Sequence, residues 1–307
     1  MHKAAAAAQR AVQICAVLIA IVYLITGVAY LCLDYWPYTE QDFWQIYEVC
    51  FYYPWMESAL FKIHNHSLFF PSFVWLADFR FFHGSQGMLF IVGLLLLVIS
   101  TFLFLVPVWR DPTLDFTGKC LSALTIIFSS FWMGRATITV SGGFNCMASL
   151  VTLAAGAAFL FLPNMRTSSP HFWRTTSLVV CAGFVATFSF GSGAAIWSTL
   201  LFLGWNLRLP WRSLAILIVA TLVALLIYQF LPPPEDSFGL WESLNATPLI
   251  AVASLKHLCR FIGAPIFYSV TAWEGVRPSS ALVESSGLLL WGGRSAWPLL
   301  LSLWRRD

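Results

Sequence analysis

Long apolar runs alternate with short polar turns along this chain. The runs fall at 11–33, 87–109, 120–138, 144–163, 176–190, 192–206, 213–231 and 281–304. A helix needs roughly 20 apolar residues to cross the hydrocarbon core of a bilayer, and runs near that length read as spans. The bounding turns, such as "RDPTLDFTGK", "PNMRTSSPHFWR" and "NLRLPWRS", carry the prolines and polar groups that stop helices. The fifth and sixth runs are short and separated only by "FGSG", a spacing that predicts a tight helical hairpin. The pattern predicts an all-α polytopic membrane protein of about eight spans.

Two stretches depart from it. In "DFWQIYEVCFYYPWMESALFKI", Phe43, Ile46, Tyr47, Cys50 and Phe51 recur near helical spacing with acids on other faces. With "FFPSFVWLADFRFF", where Pro71 starts or interrupts a helix, this predicts two interfacial helices within a loop, 34–86, folded over the span ends. The stretch 248–268 is apolar but holds Lys256, His257 and Arg260, which would be costly in mid-bilayer, so it is predicted to lie along the interface.

Composition sharpens the class. Of 307 residues, 59% are hydrophobic and 10% charged, against about 25% charge in soluble domains. One integral membrane domain, 1–307, is expected, with no room for a sizeable soluble one. The run 11–33 is too long for the core of a signal peptide and lacks a clean cleavage site, so a retained helix is expected. The seven cysteines form no CxxC pair and no metal-ligand spacing. A disulfide between Cys50 and Cys259 is one alternative; nothing in the sequence requires it.

Charge gives sidedness. With the N-terminus in the cytoplasm, Lys3, Arg10, Arg110, Lys119, Arg166, Arg174, Arg208, Arg212, Arg305 and Arg306 share the cytoplasmic side with only Asp111, Asp115 and Asp307 as acids. Cationic loops are retained in the cytoplasm, so 34–86 is expected outside.

The candidate chemistry crowds that outer boundary. Asp34 and Asp42 are either solvated acids at helix ends or carboxylates able to deprotonate a sugar hydroxyl or hold a divalent metal. His64 and His66, with Lys62 adjacent, suit hydrogen bonding to a phosphate or hydroxyl; without further ligands they make no zinc site, and plain interfacial histidines remain the alternative. Arg135, in "FWMGRATITV", either snorkels to headgroups or forks onto a lipid phosphate. "SGGFN" (141–145) and "SFGSGAAIW" (189–197) are small-residue turns that allow close approach between helices or to a ligand, with Asn145 the candidate polar contact. Asn65-His66-Ser67 and Asn245-Ala246-Thr247 match the short glycosylation pattern.

Taken in order, "DFW" at 42–44, "HNHSLFFPSFVWLADFRFFHG" at 64–84, "GGFN" at 142–145, "SFGSGAAIW" at 189–197, "YQFLPPPE" at 228–235 and "FIGAPI" at 261–266 give the chain its resemblance. It resembles bacterial polytopic membrane proteins related to the GT-C glycosyltransferases, which use polyprenyl-linked sugar donors. The resemblance implies a bacterial inner-membrane protein transferring a sugar from a polyprenyl-phosphate donor to an envelope glycan or lipid outside. It implies an essential acid in the first outer loop, where Asp42 fits first and Asp34 second. Asp42 and His66 would be the catalytic pair; Asp34, Lys62, His64, Arg135 and Asn145 would bind substrate. No organic cofactor is implied, and the partners are the lipid-linked sugar, membrane lipids and the acceptor, with no nucleic acid. The position before His66, where a Glu would fit the resemblance, holds Asn65. Members of that group commonly continue into further spans or an outer domain, so under the resemblance the ending at "RRD" after the last predicted span is expected of a short or truncated member. Two other functions stay open: a transporter or flippase of a lipid-linked saccharide, and a non-catalytic subunit of polysaccharide assembly.

Overall fold

Apolar runs of this length form helices because only a helix satisfies every backbone group internally in lipid. In the computed structural model those among the described residues do. The structure describes residues 2–33, 41–63, 66–131, 141–166 and 170–231, with side chains of the first two helices described from residues 4 and 46. The chain divides into two units, Met1–Ser237 and Phe238–Asp307, and all described residues lie in the first. The expected span 281–304 and interfacial stretch 248–268 therefore lie outside the described residues.

The order is α1 (His2–Leu33), α2 (Gln41–Tyr52), α3 (Trp55–Leu60), β1 (Lys62–Ile63), β2 (His66–Ser67), α4 (Phe69–Phe81), α5 (Gly87–Arg110) and α6 (Phe116–Ser130). It continues with α7 (Gly142–Phe161), α8 (Phe172–Thr187), α9 (Ile196–Asn206) and α10 (Trp211–Phe230). Four helices among the described residues are long and apolar enough to cross a membrane: Ala4–Leu33, Gly87–Arg110, Gly142–Asn164 and Trp211–Phe230. Phe116–Ser130 and Phe172–Thr187 are apolar but shorter, and Ile196–Asn206 is shorter still. Large side chains such as Ile91, Phe102, Val219 and Leu222 stand exposed on these helices, the arrangement expected where lipid is the solvent.

Small residues set the helix packing. A Cβ on Gly142 would come 2.8 Å from Gln86 O, one on Gly93 2.9 Å from Asn145 Cγ, and one on Gly156 3.3 Å from Leu103 Cβ. These three contacts run in the same order along both helices, so α5 and α7 lie parallel and close, as small residues permit in membranes. A second core joins α7 to α10 through Ala158, Val179, Ala186, Trp197, Leu200 and Leu217. In it α8 and α9 fold into the hairpin that "FGSG" predicts: Trp197 Nε1 donates to Thr187 Oγ1 at 2.8 Å, and the Trp197 ring stacks edge-on against Phe184. A 3₁₀ turn, Gly191–Ala195, makes the reversal.

The polar turns show their expected chemistry. Asp115 caps α6 by accepting from Gly118 N at 2.7 Å, and Asp111 Oδ1 accepts from both the amide and hydroxyl of Thr113. Those hydrogen bonds hold the exposed Asp111 carboxyl below its ordinary range.

The loop after α1 is more built than two interfacial helices. The segment 42–63 is not one helix: Pro54 opens α3 in an extended conformation, because its ring cannot continue α2. Pro71, by contrast, sits in the first turn of α4, where no amide is needed. The loop folds onto the span ends through a core of Ile46, Tyr47, Leu68, Trp75, Leu89 and Met147. Asp78, in the stretch 34–86 expected outside, is fully buried in α4. Its carboxylate accepts from Gln86 N at 3.0 Å and from Met88 N, and so caps α5. Its main-chain carbonyl accepts from Phe82 and Gly84. Between the two helices His83, Gly84 and Gln86 take positive φ values of 56°, 67° and 58°, a turn that Asp78 holds from both sides.

Candidate functional site

The site is built from a two-residue strand pair. Lys62 faces Ser67 and Ile63 faces His66 across the antiparallel ladder. This pair is docked on the last turn of α10. Lys62 Nζ donates to Tyr228 O at 3.2 Å and stands 5.5 Å over the Tyr228 ring, while Ser67 N donates to Tyr228 Oη at 3.2 Å. A lysine on the last carbonyls of a helix satisfies groups the helix leaves open and meets the negative end of its dipole. Burial there pulls the Lys62 ammonium below its ordinary value.

His66 turns to the opposite side of the ladder from Ser67. Its ring lies 4.7 Å from that of Phe190, and it packs against Gly191 so closely that a Cβ on Gly191 would collide with Nδ1. The imidazole lines a cavity of about 310 Å³ walled by Ile46, Ile63, Leu68, Phe144, Met147 and Phe190. That wall draws on α2, the strand pair, the start of α7 and the turn after α8, all at the span ends where α5 and α7 begin. Among the described residues of the lining, His66 is the titratable group and the rest are apolar.

Of the residues expected to act, Lys62 and His66 share the strand pair but point to opposite faces of it, Lys62 onto Tyr228 and His66 into the cavity. Asn145 is fully buried on α7 against Gly93 and is not among the side chains that line the cavity; its Oδ1 accepts from Ser149 Oγ at 2.9 Å. Its placement is that of a packing residue at the α5–α7 crossing. Asp42 is the second residue of α2, one turn before Ile46, but its side chain lies outside the described residues. Asp34, His64 and Arg135 lie wholly outside them. Among the described residues no group of three or more His, Cys, Asp or Glu stands close enough to hold a metal. Cys50 is a free thiol at the edge of the loop core, pushed up to about 11 by burial, so it stays protonated at neutral pH.

Tyr228, in "YQFLPPPE", and Gly191, in "SFGSGAAIW", belong to the site as well, and the sequence does not mark them. Tyr228 reads as an aromatic end to a span, and Gly191 as one of several hairpin glycines. Neither carries a local signal for contact with a loop more than a hundred residues away in sequence.

Fold and site together define a class: a helical, multi-pass membrane protein with a lined cavity where an ordered loop meets the ends of its spans. Comparison with protein-family models, curated proteins and solved structures gives no match in any of the three.

Proposed function

We propose that this chain is a GT-C-like protein of the bacterial inner membrane that transfers a sugar from a polyprenyl-phosphate donor to an envelope glycan or lipid on the outer face. The observation that carries the reading is the apolar cavity at the span ends with His66 in its wall. Such a site suits a substrate that is part lipid and part polar, because apolar walls take up the isoprenoid while one polar group orients the reacting end. Lys62, on the other face of the strand pair, has given one of its three donors to Tyr228 O, so in this reading a donor phosphate meets the remaining two outside the cavity rather than in it. In this reading Asp42 takes the proton of the acceptor hydroxyl and His66 orients that hydroxyl. The oxygen attacks the anomeric carbon, the bond to phosphate oxygen breaks, and polyprenyl phosphate leaves with its charge held by Lys62 and Arg135. The reading takes eight crossings, 281–304 being the last, with both chain ends cytoplasmic.

The test uses purified protein in proteoliposomes with polyprenyl-phosphate-linked sugars extracted from bacterial membranes. Asp42→Asn and His66→Ala are each expected to lower transfer at least ~100-fold, the scale of a lost acid–base group, while insertion is unchanged. Gly191→Ala should fall with His66→Ala, since its new methyl displaces the imidazole. Full transfer in all three variants, or donor binding with no transfer by the parent protein, would sink the reading.

Sidedness has its own measurement. Ser85 is exposed in the turn between α4 and α5, so Ser85→Cys in a cysteine-free background is expected to react with an impermeant maleimide added to intact spheroplasts. Labelling only after permeabilisation would invert the topology.

A further inference from the structure

At the opposite end of the bundle a groove of about 480 Å³ opens between α8 and α10. Arg212, Ala215, Ile216, Val219, Ala220 and Val223 of α10 line it at successive i+3 and i+4 steps, facing Val180 and Phe184 of α8. The alanines make the depression, since their neighbours along the helix are larger. From Arg212 to Val223 the stripe rises ~16 Å, about half the ~30 Å hydrocarbon core, which is the depth of one leaflet.

Arg212 stands at the mouth. Its guanidinium lies 5.5 Å over the Phe172 ring and 5.0 Å over the Trp173 ring, which fixes its position at the membrane boundary. It has no carboxylate partner among the described residues. From 163 to 213 the sequence holds Arg166, Arg174, Arg208 and Arg212 and no Asp or Glu. Trp173, Trp205 and Trp211 are exposed around it, the interfacial belt that marks headgroup depth.

We propose that this groove binds one anionic phospholipid, its acyl chain along the α8–α10 stripe and its phosphate on Arg212. A zwitterionic lipid would fill the same apolar groove but would bring its own ammonium to an end of the protein already rich in arginine. The anionic headgroup is therefore preferred, and the guanidinium fork matches its phosphate oxygens.

Native mass spectrometry of the full chain, released from detergent with equimolar phosphatidylglycerol and phosphatidylcholine, tests this. The expected result is one retained phosphatidylglycerol, favoured about five-fold, the scale of one arginine beside an anionic lipid. Arg212→Gln should abolish the preference while an adduct persists. Ala215→Phe, at a half-buried position, should fill the groove and remove the adduct with every charge intact. A preference unchanged by Arg212→Gln, an adduct that survives Ala215→Phe, or equal retention of both lipids by the parent protein would each overturn the assignment.

Discussion

Gly193→Ala is expected to destabilise the protein by about 3 kcal/mol, the upper end of the cost of overpacking. Gly193 lies in the 3₁₀ turn between α8 and α9, with its amide donating to Phe190 O at 2.8 Å. A Cβ there would strike the carbonyl of Ala186, the last turn of α8. The obstacle is backbone already engaged by Phe188 N and Ser189 N, so no side chain can swing away to relieve it. The turn must lift, and with it goes the seating of Trp197 against Thr187 and Gly183. Gly204→Ala is the control. Its methyl would meet the tips of Leu214 at 3.1 Å and Leu209 at 3.3 Å, which can yield, and alanine is the better helix former by about 1 kcal/mol. Thermal unfolding in detergent should therefore separate the two: a large loss for Gly193→Ala and little change or a gain for Gly204→Ala. Equal melting temperatures would mean that the hairpin does not pack as described.

Asp78→Leu is expected to cost about 2–3 kcal/mol, because it strands the amides of Gln86 and Met88 in a buried site and removes the cap of α5. Asp78→Asn should cost far less, since its amide oxygen still accepts. The pH dependence gives a second readout, of the parent against the variants. Burial raises the Asp78 carboxyl above its ordinary 3.8, and the two amide hydrogen bonds only partly oppose this. Its folded pKa thus lies above the unfolded one, so the folded state binds the proton more tightly. Stability from this group rises as pH falls through the raised folded value, and the gain is complete below 3.8. Asp78→Asn should abolish that rise. Unfolding measured at two pH values in the parent and Asp78→Asn proteins reads it directly; a parent that loses this increment in acid would show that the carboxylate form is the favoured one.

Periodicity and run length made the helices legible, together with the hairpin at "FGSG" and the turn at "RDPTLDFTGK". These are local matters: a stretch is apolar enough or not, and a proline or capping aspartate acts on its own neighbours. Pro54 shows the limit even there. The apolar spacing of 42–63 runs on through it, and only the backbone decides that the helix stops.

The candidate site was legible in part for the same reason. Lys62 and His66 stand out as polar groups in a greasy loop, and the strand pair carries both to the span ends, on opposite faces. Asn145 stood out equally and is instead packed against Gly93, because a polar residue beside glycines has the same local pattern whether it faces a ligand or a neighbouring helix. Asp78 carries no local sign of burial. Its burial follows from α4 lying across the start of α5, a contact no window of sequence contains.

The sequence by itself determined the solvent, lipid, and with it the helical class, since a chain this apolar must satisfy its backbone within each segment. The tertiary structure alone decided which residues share a cavity. His66 owes its setting to Gly191, and Lys62 its partner to Tyr228, and these contacts depend on helices of different runs ending at one level. That convergence is set by close packing at Gly93, Gly142 and Gly193, where the missing side chain matters only because of what lies opposite.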